Sequence, residues 1–238
     1  MENVSATLAE VEAASERLTA TAAKLTDDDL RAPSRLPGWT RGHVLAHVAR
    51  NADSCWNLLE WARTGAMIRQ YPDDHVRDAG IAMNSGRPAA ELRAELRVAM
   101  ERFALQAATL PEAAWRSTVA ARSGWAHPAW YVLCRRWREV EAHHLDLDFG
   151  YTYTDWSPAY VRWELTETLE SIRLDGGLAA GRVRAIDLDV DVRLGDGPEI
   201  SAPGHELLAW LTARGGASSA EWPAPPPWPG PAARWRES

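Results

Sequence analysis

The chain has 238 residues, enough for one large domain or two small ones built on a real core. Its 46% hydrophobic and 25% charged residues are ordinary for a globular protein, and a formal net charge of −7 offers no basic footprint for nucleic acid. There are two cysteines, Cys55 and Cys134, and no CxxC pair, no long apolar run and no signal-peptide pattern; this excludes a disulfide scaffold, a zinc finger and a dithiol redox motif, and predicts a cytoplasmic protein with no membrane span.

Four long helical patterns fill residues 1–150. Val4, Leu8, Val11, Leu18 and Leu25 form a one-face stripe. Thr26 followed by Asp27, Asp28 and Asp29 reads as a cap and a short helical turn. Thr40 caps a second long helix striped by Val44, Val48, Cys55, Leu58 and Leu59, and Gly65 stops it. Residues 66–87 show no strong period. Pro88 opens a third helix with Leu92, Leu96, Met100 and Phe103 on one face. Pro128 opens a fourth with Leu133, Trp137, Val140 and Leu147. Four amphipathic helices of this length predict a four-helix bundle.

The pattern changes after Gly150. Ser157-Pro158 starts a helix carrying Val161, Leu165, Leu169 and Ile172, and Gly176-Gly177 ends it. Ile186, Leu188, Val190, Val192 and Leu194 then alternate with Asp187, Asp189, Asp191 and Arg193. That alternation predicts one half-buried strand with a solvated acidic face. Gly195-Asp196-Gly197 is a turn, and Glu199-Ile200-Ser201 begins a returning strand. Residues 204–213 read as a short helix. The expected fold class is α + α/β: a helical bundle over 1–152, a small α/β domain over 153–216, and a Pro/Trp-rich tail over 217–238. Six of the fifteen prolines fall between 223 and 231, among Trp222, Trp228 and Trp235. A solvated, polyproline-like tail is expected; a strap packed through its tryptophans is the alternative.

The histidines mark the place for chemistry. His43 and His47 stand four apart on the second long helix, and His47 points more nearly into the bundle. On the fourth, Glu139 and His143 are also four apart, so a carboxylate and an imidazole share one face. One histidine from one helix and such a pair from another make a three-ligand site of the open, catalytic zinc type. The helical wheel instead puts His144 at mid-stripe, with only Glu141 as a nearby partner. Cys55, on the apolar stripe, is expected to be an inert core thiol. Trp39 reads as a packing residue before Thr40, and Asn51, one turn beyond His47, as a polar rim residue.

Two segments carry a family resemblance. Leu36-Pro-Gly-Trp-Thr-Arg-Gly-His-Val-Leu-Ala-His-Val-Ala-Arg-Asn-Ala-Asp53 and Arg138-Glu-Val-Glu-Ala-His-His-Leu-Asp-Leu-Asp148 with Gly150 resemble the mycothiol-dependent maleylpyruvate isomerases. The resemblance implies a DinB-like metal-binding four-helix bundle followed by a small α/β domain. It places the zinc ligands on His47, Glu139 and His143. It places a functional arginine on Arg77, with Arg69 nearby as a competitor. The implied cofactors are zinc, or another divalent metal, and mycothiol. The implied reaction is the cis–trans isomerisation of maleylpyruvate to fumarylpyruvate in gentisate breakdown, by addition and elimination of a thiolate. The implied partners are a small-molecule substrate and a low-molecular-weight thiol, with no nucleic acid and no membrane, for a monomeric protein. Two other readings stand beside it: a mycothiol S-transferase that conjugates electrophiles on the same fold, and a non-catalytic metal-binding regulatory bundle.

Overall fold

A computed structural model describes residues 3–215 and 222–229. The chain divides into two compact units, Met1–Gly150 and Tyr151–Ser238. The break falls just before a 3₁₀ turn, Tyr153–Asp155, whose Tyr153 hydroxyl donates to Glu206 at 2.8 Å and so belongs to the second unit. No helix among the described residues is long and apolar enough to cross a membrane.

The first unit opens with α1 (Val4–Ala22), capped by Asn3. A short helix, α2 (Asp27–Arg31), follows; here Thr26 and Asp29 satisfy each other's backbone N–H groups in a capping box. Next come α3 (Arg41–Thr64), α4 (Asp74–Ser85) and α5 (Ala89–Thr109). After a 3₁₀ turn at Glu112–Arg116, strands β1 (Thr118–Ala120) and β2 (Ala126–Pro128) form an antiparallel hairpin, and α6 (Tyr131–Asp146) closes the unit. α3 packs on α5 and α6, and α1 packs on those same two helices from the other side, which makes a four-helix bundle. Its core is leucine-rich: Leu18, Leu45, Leu58, Leu92, Leu96 and Leu133 are fully buried.

Two elements differ from expectation. α4 lies in the stretch that shows no period, because Ile81 is its one buried position and no apolar stripe can appear. The hairpin strands are three residues each, too short for an alternation to be visible. α4 sits tight against α3. A Cβ on Gly42 would lie 2.2 Å from the Ser85 carbonyl oxygen, so only glycine lets the end of α4 approach the start of α3.

In the second unit, α7 (Pro158–Asp175) and α8 (Gly204–Leu211) cover a three-stranded sheet of β3 (Arg182–Ala185), β4 (Asp191–Arg193) and β5 (Glu199–Ala202). The strand order is β4-β3-β5. The expected long strand over 186–194 is corrected: residues 186–190 are the connection between β3 and β4, and the ladder begins earlier. The returning strand pairs parallel with β3, not with β4, with Val183 opposite Ile200. The buried faces of Val183, Val192 and Ile200 meet Leu165, Leu169 and Leu207. Asp191 pairs with Arg182, and Asp187 accepts from the Gly204 N–H at 2.7 Å, capping the start of α8.

The tail packs, where it is described. Trp222 sits on the second unit's core with its ring 5.0 Å from that of Trp210. Trp210 Nε1 donates to the Pro223 carbonyl at 3.2 Å, and Trp228 Nε1 reaches Glu164 and Thr168, each at 3.2 Å. Residues 222–229 are therefore a strap, not solvated chain; the indole N–H groups supply the polar anchors. Trp235 lies outside the described residues.

Two outcomes check these contacts. Gly42→Ala should destabilise the protein by about 1–3 kcal/mol in denaturant melts, because the added methyl displaces backbone; an unchanged midpoint contradicts the close approach. His127, in β2, is pushed down to about 4, first by burial and then by the charge of Arg135. The folded protein thus binds fewer protons than the unfolded chain below the ordinary histidine value of about 6.5. The His127 contribution to stability should fall from there to about pH 4 and level off below it, and His127→Gln should flatten the decline between those values; an NMR midpoint near 6.5 contradicts it.

Candidate metal centre

α3 and α6 each present one face to the other, and three side chains meet there. His47 Nε2 lies 3.0 Å from Glu139 Oε2 and 3.0 Å from His143 Nε2. Glu139 Oε2 and His143 Nε2 are 3.4 Å apart. The two imidazoles stand edge to face, centroids 4.5 Å apart at 89°. His47 is almost wholly buried, while Glu139 keeps 30% of its side chain exposed, so the cluster has one open side.

The local sequence dictates this meeting. His47 is close to the start of α3, which Thr40 caps. The box partner is His43: its N–H donates to Thr40 Oγ1, and its Nδ1 accepts from the Thr40 N–H at 3.2 Å. His43 is thereby used in the cap and does not join the cluster. On α6, the i,i+4 spacing brings Glu139 and His143 to one side. His143 Nδ1 donates to Asp146 Oδ2 at 2.9 Å, and Asp146 is 1% exposed. That bond fixes the tautomer, leaving the Nε2 lone pair facing His47 and Glu139. His144 turns the other way, into the core, where its Nε2 meets Thr21 Oγ1 at 2.8 Å.

The electrostatics follow from this crowding. Burial presses the His47 pKa down, and the neighbouring His143 adds to the effect. Burial alone would lower His143 too, but hydrogen bonds to Asp146 and Glu139 outweigh it and raise the pKa. Burial alone would raise Glu139, yet its bonds to His143 and His47 hold it well below the usual carboxylate range. At neutral pH Glu139 is a carboxylate facing two imidazole nitrogens.

This donor set fits a divalent metal ion. Zinc takes nitrogen and oxygen ligands at about 2.0–2.2 Å, and tetrahedral geometry then sets donor–donor separations of roughly 3.3 Å. The three separations here, 3.0, 3.0 and 3.4 Å, match that spacing. Among the described residues His47, Glu139 and His143 are grouped closely enough to share one ion.

Around the cluster, Trp39 stands edge-on to His47, with ring centroids 5.6 Å apart, so it lines the site as well as packing before the helix. Arg77, on α4, brings Nη2 to 3.5 Å from His47 Nδ1, and its Nη1 contacts Asp78. Arg69 is exposed in the loop before α4, and His75 is exposed at the start of that helix. Asn51 is not on the rim: it is buried, accepting from Arg136 at 2.8 Å. Cys55 is buried beside it, and burial pushes the thiol up. Asp146 escaped the sequence reading. Its signal was the three-residue step from His143, the spacing at which a carboxylate reaches the same helix face.

Residues 11–148 match the family model described as the mycothiol maleylpyruvate isomerase N-terminal domain. The chain belongs to the mycothiol maleylpyruvate isomerase family. Two solved structures share the fold of this family member: a crystal structure of the mycothiol-dependent maleylpyruvate isomerase, and one of a histidine-to-alanine mutant of that enzyme. Each is 25% identical, superposes with a TM-score of 0.86, and covers 94% of this chain and 97% of its own. No curated protein sequence matches the chain. The match fits the architecture described above, a four-helix bundle followed by a small α/β unit.

Proposed function

We propose that this family member is a mycothiol-dependent isomerase that converts maleylpyruvate to fumarylpyruvate, with a divalent metal, zinc, held by His47, Glu139 and His143. The observation that carries the reading is the convergence of two imidazole Nε2 atoms and a carboxylate oxygen within 3.4 Å, beside an arginine. Such a metal makes a thiol available in ionised form near neutral pH, the form that adds reversibly to a conjugated double bond and frees it to rotate.

The chain's own residues supply the rest. Asp146 holds the proton on His143 Nδ1 and so keeps Nε2 a ligand. Glu139 contributes the negative charge that offsets the cation. Arg77 takes a substrate carboxylate with its planar two-donor fork. The same guanidinium stabilises negative charge that develops on the carbonyl oxygen when the double bond is attacked. Trp39 walls the site beside His47 and limits water. Cys55, buried and held protonated, takes no part.

An ultraviolet assay with maleylpyruvate, run with and without mycothiol, tests the activity. Turnover that needs the thiol is expected; thiol-independent turnover contradicts the mechanism. Conjugation of a generic electrophile without isomerisation assigns the S-transferase reading instead. Arg77→Ala should lower kcat by about 10²–10³, while Arg69→Ala leaves it near wild type. His47→Ala and His143→Ala should purify without stoichiometric metal. Asp146→Asn should weaken metal affinity by about 10–100-fold in chelator competition; unchanged affinity contradicts its assigned role.

A further inference from the structure

One cation near the cluster has no anion. Arg135 is on α6, one turn before Glu139, so Arg135, Glu139 and His143 share one face of that helix. Neutral groups hold its guanidinium. Nη2 donates to Gln70 Oε1 at 2.8 Å and Nη1 to His127 Nε2 at 3.2 Å, and Cζ lies 5.3 Å from the centre of the Trp125 ring. His127 gives its own Nδ1–H to the Pro128 carbonyl at 2.9 Å and is uncharged at neutral pH, so it accepts from Arg135 without adding a charge. Among the described residues no carboxylate lies within ion-pair distance of Arg135.

Arg135 is also reachable. It is half-buried, and its Nε, which has no partner, is not shut off from solvent as Nε of the neighbouring Arg136 is. A guanidinium keeps its charge and carries N–H donors on all three nitrogens, so the two bonds fix its position and leave donors for an anion. Gln70 is itself fixed: it is buried, and its Nε2 donates to Ser54 Oγ on α3 at 3.3 Å. The adjoining Tyr71 lies in the field of both Glu139 and Arg77. One short segment thus borders the cluster and both arginines. Along α6 the step from Glu139 back to Arg135 is a rise of about 6 Å, a length that an extended dicarboxylate can bridge from a reacting carbon on the open side of Glu139.

We infer that Arg135 is a second carboxylate receptor of this site, so that a linear dicarboxylate lies across the cluster with one end on Arg77 and the other on Arg135. The inference rests on the proposed isomerase reading, in which Arg77 takes one carboxylate of a substrate that carries a carboxylate at each end. It adds the residue that takes the other end and makes the site selective for dianions. Arg135 acts in binding: its neutral partners leave its charge uncompensated until the substrate arrives, and the gain from pairing goes to the dicarboxylate over a monocarboxylate of equal length.

Pimelate, the saturated dicarboxylate with the chain length of maleylpyruvate, is the probe, and heptanoate is its monocarboxylate counterpart. Both are titrated calorimetrically into the full chain. Pimelate should bind about tenfold or more tighter than heptanoate, the worth of one charge-assisted pair. Arg135→Gln should bring pimelate down to the affinity of heptanoate and leave heptanoate unchanged. Pimelate, and not heptanoate, should also shift the His127 ring resonances in the unaltered protein, which decides the matter should Arg135→Gln fail to fold. No pimelate binding, equal affinity for the two acids, unchanged pimelate affinity in Arg135→Gln, or an unmoved His127 signal overturns the inference. These readouts need neither thiol nor turnover. Arg135-dependent pimelate binding without isomerisation of maleylpyruvate therefore defeats the isomerase reading alone. Isomerisation with the KM unchanged in Arg135→Gln defeats the inference alone; the expected result is a KM raised about tenfold with kcat changed far less.

Discussion

His47 meets Glu139 and His143 at 3.0 Å because α3 and α6 are locked in register along their contact. Near one end, Arg41 in the first turn of α3 donates to the Leu147 and Asp148 carbonyls just past α6, at 2.7 and 2.8 Å. A cation there also suits the negative end of the α6 dipole. Further along, Arg136 crosses from α6 to the Val48 carbonyl, the residue after His47. A slip of one helical turn, about 5.4 Å, would exceed the whole span of the donor set. The bundle core supplies the stability, but these two arginines set the alignment on which the site depends.

Each histidine near the site is assigned by the partner on its other nitrogen or its backbone. His43 is spent on the Thr40 capping box. His144 is spent on Thr21 in the core. His143 has the buried carboxylate of Asp146 behind it, and that carboxylate aims its free lone pair at His47 and Glu139. The division of labour is therefore made by hydrogen bonds outside the cluster, not by the histidines themselves.

Much of this was legible in the sequence. Caps and glycine stops marked α3 and α7, and their stripes placed the bundle. The i,i+4 pair of Glu139 and His143 was visible on one face of α6. The helical wheel also judged burial correctly, since His144 is the more deeply buried of the two neighbours. It could not say which buried face meets α3, and that face is the flank carrying His143. Three features stayed hidden for physical reasons. α4, which carries Arg77, is held by one buried residue and the glycine contact at Gly42, so it has no periodic signal. β3 alternates over only four residues, and it pairs with β4 on one side and in parallel with the returning strand β5 on the other, which no hairpin rule predicts. The tail's proline content argued for solvated chain, but Trp222 and Trp228 bury enough surface and place enough hydrogen bonds to hold it down.

Anomalous diffraction from zinc-soaked crystals tests the central claim most directly. The account predicts one strong peak bonded to His47 Nε2, Glu139 and His143 Nε2 at about 2.0–2.2 Å, with Asp146 still on His143 Nδ1. A peak on His144 and Glu141, or no peak with His47 and His143 left in direct contact, would contradict it.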